Sequence, residues 1–252
     1  FLHLDMNQEC NYKCPHCIIG HKNEVETYYE GEYSPGYGFI SSFQANGFDV
    51  AIGTSSPNVA NYTNTSTDKY VGWCWKGGGA ASTNNVGDIP SEVSANTAAG
   101  FSIVKYNGNS TAGATIGHGL TSAPPQLIIV KSLNTIGGSS KAWTVYTEIT
   151  GNTKYLYLNS SAAAATYNFW NNTSPTTSVF SVSFDSNVNS SSGEYIAYCW
   201  HSVAGYSKIS FYTGSNSGVT ESLGFAPSMV IIKNTTQSDP WGIFDNKRPT
   251  GT

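Results

Sequence analysis

Three thiols stand close together near the start of the chain, in the run Cys10-Asn11-Tyr12-Lys13-Cys14-Pro15-His16-Cys17. Thiolates at C-x3-C-x2-C spacing can converge from one tight loop on an iron-sulfur cluster, and Pro15 stiffens that loop. Three ligands leave one iron of a four-iron cluster open to a further group. A zinc-knuckle fragment is the other chemistry that this spacing allows. Cys10, Cys14 and Cys17 are therefore the metal-ligating candidates, with a 4Fe-4S cluster as the conditional cofactor.

The apolar run Phe1 to Met6 followed by this loop resembles the first barrel strand and cluster loop of radical SAM enzymes, in which the open iron binds S-adenosylmethionine. His16 stands where that family usually has an aromatic residue. Resemblance of the loop implies a partial barrel of alternating strands and helices, on the order of 200 residues, to hold the cofactor over the cluster. After Glu32 no helix-period apolar pattern and no such alternation follows. Gly77-Gly78-Gly79 also lacks the acidic residue of that family's cofactor-binding Gly-Gly-Glu. The loop is a cluster site without the elements that would use it, and the expectation for the whole chain is a protein that is not an enzyme.

Charge draws a boundary at the same place. Residues Phe1 to Glu32 carry six acids and two bases, which accounts for the formal charge of −4 of the whole chain. The remaining residues carry ten of each sign and are rich in Ser, Thr, Asn, Gly and Tyr. Only 11% of the chain is charged, against about 25% in ordinary soluble domains. Nothing basic points to nucleic acid, and no apolar run of about 18 residues points to a membrane span. We expect a non-homologous segment over 1–32 joined to a different protein, and a start at Phe1 without an initiator methionine leads us to expect a fragment.

The long part repeats itself. Tyr70-Val71-Gly72-Trp73-Cys74-Trp75 returns as Tyr195-Ile196-Ala197-Tyr198-Cys199-Trp200. Phe43 to Phe48 returns as Phe180 to Asp185, and Gly100 through Gly108 as Gly205 through Gly214. Gln126 to Lys131 returns as Ser228 to Lys233, and Trp143-Thr144-Val145-Tyr146 as Trp241-Gly242-Ile243-Phe244. These matches divide the chain into the end of one unit over 33–75, a linker over 76–99, a complete unit over 100–204 and the beginning of another over 205–252.

Within the complete unit the pattern is strand and turn. Phe101–Tyr106, Gln126–Ser132, Ala142–Glu148, Lys154–Leu158, Ser178–Ser183 and Glu194–Trp200 are β-branched or aromatic runs bounded by Gly, Asn, Pro and Ser. Ser161 to Thr166, with its alanines, reads as a loop. The fold class is all-β, and about 105 residues with this spacing suit a two-sheet sandwich. Alternation puts the Cys199 thiol on the opposite face from its aromatic neighbours and His201 on the same face, so a Cys-His pair stays open beside an unpaired small core residue. The tryptophans on strands recur at equivalent positions, as core residues do. Trp170 lies in a polar loop beside Asn168, Asn171 and Asn172, where it anchors the loop or stacks on a ligand such as a sugar ring; it is the ligand-binding candidate. His118, between two glycines, reads as a turn residue.

From about Tyr37 onward the sequence resembles a tandem repeat domain of virion and tail-associated proteins of marine bacteriophages. The motifs that carry this are Tyr70 to Lys76, Ile116-Gly117-His118-Gly119-Leu120, Tyr155 to Ser160, Phe169-Trp170-Asn171 and Gly205-Tyr206-Ser207-Lys208. The resemblance implies concanavalin-like or laminin-G-like jelly-roll sandwiches in tandem, one complete and two partial. It also implies a structural or host-recognition role at a virion surface, with other virion subunits, further copies of the chain and host glycans as the partners.

Overall fold

The computed structural model describes residues 39–51 and 74–246. Its strands are β1 (Phe39–Gln44), β2 (Gly47–Ala51), β3 (Ser82–Asn84), β4 (Ser91–Asn96), β5 (Phe101–Asn107), β6 (Thr115–Gly117) and β7 (Leu127–Ser132). They continue with β8 (Thr144–Thr147), β9 (Lys154–Tyr157), β10 (Ala165–Thr166), β11 (Val179–Ser181), β12 (Glu194–Trp200), β13 (Met229–Ile232) and β14 (Gly242–Asp245). One 3₁₀ turn, Thr97–Ala99, separates β4 from β5. Among the described residues no helix is long and apolar enough to cross a membrane.

Eight strands form one antiparallel sheet in the order β10-β9-β8-β7-β12-β5-β4-β3, and β11-β6 is a small second layer. The central strand, β12, pairs with β5 on one side and β7 on the other, with Tyr198 opposite both Ile103 and Ile129. From Tyr195 onward its sequence is apolar without a break because both of its faces are covered, as expected for an interior strand. Tyr195, Ala197 and Cys199 enter the larger core with Val104, Tyr106, Ile128 and Val130, and there they meet Ile116 and Phe180 of the second layer. Ile196 and Tyr198 point the other way and form a smaller cluster with Phe101 and Ile103, against which Trp75, Trp143 and Trp200 pack. The result is an all-β sandwich.

All six strands expected within the complete unit are present, with ends shifted by a few residues. The span 76–99, however, is no linker: it supplies β3 and β4 to the large sheet, where β4 runs along β5 from Ser91↔Tyr106 to Asn96↔Phe101. Its Ser-Glu-Val-Ser-Ala-Asn sequence is too polar to look like a strand, yet small hydroxyls are what this position takes. Ser91 donates to the Gly117 carbonyl at 2.9 Å, while Ser94 accepts from the Gly78 amide at 3.0 Å and donates to the Gly79 carbonyl at 2.7 Å. The last residues of the alanine-rich run also differ from expectation, since Ala165 and Thr166 form β10 on the edge of β9.

The repeat holds in space at one place and fails at another. The β13–β14 hairpin reproduces β7–β8 pair for pair: Met229↔Asp245, Val230↔Phe244, Ile231↔Ile243 and Ile232↔Gly242 stand for Leu127↔Thr147, Ile128↔Tyr146, Ile129↔Val145 and Val130↔Thr144. Even the lysine that follows is reused, because Lys131 donates to the Ser132 carbonyl and Lys233 to the Asn234 carbonyl. By contrast, the segment equivalent to β5, around Tyr206 to Tyr212, is not a strand. Strand β5 is held between β4 and β12, and the later segment has neither kind of neighbour among the described strands. Phe43 to Phe48 likewise spans the end of β1, the Ala45–Asn46 turn and the start of β2, whereas Phe180 to Asp185 runs out of β11 into a loop.

Candidate functional site

Trp170, expected as a loop anchor or a ligand-stacking residue, is a core residue. Its ring is 1% exposed, its indole N–H donates to the Lys154 carbonyl at 3.1 Å, and it meets Tyr146 edge-on at 5.6 Å. The loop-anchor alternative holds and the sugar-stacking one fails, because no face of the indole is open. The asparagines that made the loop look solvent-facing serve its backbone: Asn171 and Asn172 take φ of 50° and 51°, the left-handed region that asparagine tolerates best after glycine.

Cys199 is also inert. Burial pushes its thiol well above the ordinary range, with the Ser102 hydroxyl opposing that only in part. His201 does not pair with it. Its ring lies between the Ser202 carbonyl at Nδ1 and the Ser122 hydroxyl at Nε2, each at 2.8 Å. Nδ1–H thus donates to a main-chain carbonyl and Nε2 accepts from Ser122, an arrangement that ties the Ala123 loop to the end of β12. The orienting position of a catalytic triad would hold a carboxylate; here a peptide carbonyl fills it.

His118 is fully buried and has both ring nitrogens engaged. Nδ1 accepts the Leu120 amide and Nε2 donates to the Thr176 carbonyl, both at 3.1 Å. Burial, chiefly, lowers its pKa to about 4. It holds the β6 end to the Thr176 loop, the turn role that its two glycine neighbours suggest. Cys10, Cys14 and Cys17 lie outside the described residues. Among the described residues no group of three His, Cys, Asp or Glu side chains gathers to hold a metal.

Two surfaces remain that sequence reading did not single out. One is a shallow cleft of about 230 Å³ lined by Pro90, Ser91, Glu92, Lys105, Tyr106 and Asn107. Lys105 stands opposite Glu92 across β4 and β5, lies 3.5 Å from Glu194, and brings a cation between two carboxylates. Glu92 also accepts from Thr83 at 2.8 Å. Only cross-strand register assembles this set, since Glu92, Lys105 and Glu194 are far apart in sequence.

The other is the C-terminal hairpin with the segment before it. Residues equivalent to core positions are on the outside there: Tyr206 is 60% exposed where Phe101 is 2%, Tyr212 is 47% where Tyr106 is 2%, and Phe244 is 58% where Tyr146 is 3%. The hairpin is nonetheless fastened to the large sheet. Trp241 donates to the Tyr157 carbonyl at 2.9 Å, Lys233 to the Ser161 carbonyl at 3.1 Å, and the Ala164 amide to the Thr235 carbonyl at 3.0 Å.

Fold and surfaces together define an all-β repeat module with one completed sandwich and a second unit begun. The chain belongs to a family described as a domain of unknown function (DUF7483), whose model matches residues 21–252. That match takes in the acidic stretch before Glu32, so the family's span starts earlier than the charge boundary, and it leaves the three clustered cysteines outside. No curated protein and no solved structure matches the chain.

Proposed function

We propose that this chain is a non-enzymatic structural and host-recognition module of a bacteriophage virion or tail appendage. The single observation that carries the architectural half is the hairpin β13–β14, which repeats β7–β8 in register. A chain that begins the same sheet twice is built for serial units, and serial units with solvated, charge-poor surfaces make extended appendages on which weak contacts add. The phage setting rests on the resemblance of Tyr37 onward to tail-associated repeats.

Recognition of a host glycan is the second half of this reading, and the cleft between β4 and β5 supports it. Glu92, Lys105 and Asn107 offer acceptors, a cation and an amide in one shallow recess, the kind of polar rim that meets sugar hydroxyls. Immunogold labelling of intact particles tests the setting: label at the particle surface is expected, and protein found only free in the host cytoplasm would sink the proposal. A glycan array tests the cleft, with binding expected to fall on Lys105→Ala.

A further inference from the structure

We infer that the tyrosine cluster at the β9–β10 end of the sandwich is a binding site for an organic cation of the alkylated ammonium class. It stands apart from the β4–β5 cleft, with β8, β7 and β12 between β9 and β5, and owes nothing to the glycan reading.

Strand β9 and the residues after β10 build the cluster. Tyr155 and Tyr157 flank the buried Leu156, so alternation puts both rings on one face of β9. Opposite Tyr155 on β10 stands Ala165, whose methyl group is too small to cover a tyrosine ring. Tyr167 continues the pairing, its amide donating to the Thr153 carbonyl at 3.1 Å, and its ring meets Tyr155 edge-on at 6.4 Å. Phe169 is the floor. It is 3% exposed and lies 4.5 Å from Tyr167, 4.7 Å from Tyr155 and 6.3 Å from Tyr157, measured between ring centres. Tyr167 is 45% exposed, and Tyr155 and Tyr157 are half-buried.

A carboxylate meets this surface. Asp185 Oδ2 accepts the Tyr167 hydroxyl at 2.9 Å, while Oδ1 accepts the Asn187 amide and side-chain N–H at 2.8 and 2.9 Å. Oδ1 therefore closes a turn, and Oδ2 has room for a donor beyond its one tyrosine. Among the described residues no basic side chain forms an ion pair with Asp185. Its charge reaches two of the phenols: hydrogen bonding to Asp185 raises the pKa of Tyr167, and burial first, with Tyr155 and Asp185 adding to it, raises that of Tyr157. A field that makes a phenol harder to ionise is one that draws a cation to the same place.

The chemistry of the surface selects the kind of cation. A calcium ion takes six or more oxygen ligands, which one carboxylate and a few phenols do not supply. A primary ammonium has three donors to satisfy, and Oδ2 is the one open carboxylate oxygen. An alkylated ammonium needs no hydrogen-bond acceptors; it needs aromatic faces and a nearby negative charge, and both are present.

Titration calorimetry of the full chain with choline chloride tests this. Choline is expected to bind, and 3,3-dimethyl-1-butanol, its neutral isostere, to bind at least about tenfold more weakly. Asp185→Asn retains the oxygen that closes the turn, so it should keep the thermal transition and weaken choline by at least about tenfold. Tyr167→Ala should weaken it as much, and Tyr167→Phe, which keeps the aromatic face, by no more than about threefold. Flotation with phosphatidylcholine vesicles separates the two sources of such a group: co-flotation marks a lipid headgroup, and choline binding without flotation marks a group borne on a soluble molecule. No choline binding by the folded chain, equal binding of the neutral isostere, or native affinity in Asp185→Asn would overturn the assignment. Binding of a neutral methyl glycoside at these tyrosines in place of choline would overturn it too.

Discussion

Trp170 donates its indole proton to the Lys154 main-chain carbonyl, 3.1 Å away, and by doing so pins the loop that follows β10 to the strand that precedes it. Deleting a fully buried indole costs about 3–5 kcal/mol. Trp170→Ala should therefore lower the urea midpoint strongly, and the same variant, where it still folds, should keep whatever glycan binding the native chain has. Native stability with lost binding would reverse the assignment of this residue.

His118 makes stability depend on acid. Its Nδ1 accepts the Leu120 amide, so protonation there would set one donor against another. With a folded pKa of about 4 against an ordinary 6.5, the unfolded chain binds the proton first. The stabilising effect is complete above pH 6.5 and is lost as pH falls towards 4, by up to about 3 kcal/mol. Chemical denaturation across this window is expected to show the slope, and His118→Gln to flatten it.

Asn189 is fully buried and closes a polar corner. Its amide donates to the Ser183 carbonyl at 2.8 Å, the Thr111 carbonyl at 2.9 Å and Asn109 at 3.2 Å, and its oxygen accepts the Asn109 amide at 2.8 Å. Asn189→Ala strands these groups away from water and should cost roughly 3 kcal/mol or more. Asn189→Asp, which keeps the shape and loses the donors, should cost as much. A thermal melt of both variants checks this.

The two cysteines in the described residues should part company towards thiol reagents. Cys74 is exposed and Cys199 is fully buried with its thiol held protonated. Mass spectrometry after brief alkylation of the native protein should find Cys74 modified and Cys199 untouched. Cys199 should react only once denaturant opens the sheet.

Residues 76–99 should behave as part of the sandwich. A side chain at Gly78 would strike the Ala95 main chain on β4. Gly78→Val is expected to destabilise the complete unit, as measured by its urea midpoint, which a substitution in a free linker would not do.

Much of this protein is written in local sequence. Alternating β-branched and aromatic runs between Gly, Asn and Pro announce β5, β7, β8, β9, β11 and β12, because period-two burial acts within a few residues, whereas the short β6 and β10 carry no such run. The apolar run Tyr195–Trp200 is legible as a strand in the same way, and the structure adds that both of its faces are covered. Internal similarity locates the register that β13–β14 shares with β7–β8, since equivalent side chains impose equivalent pairing.

Other features depend on what lies across the sheet. Strand β4 is polar, and it is a strand because β5 and Gly78 lie beside it; Trp170 sits among asparagines, and it is buried because Tyr146 and the Lys154 carbonyl close over it. The Glu92–Lys105–Glu194 cluster exists only where three strands meet in register. The repeat-equivalent of β5, Tyr206 to Tyr212, forms no strand, where no described strand lies beside it. Strand pairing is non-local, so the residues alone specify which segments can pair, and only the assembled sheet decides which of them do.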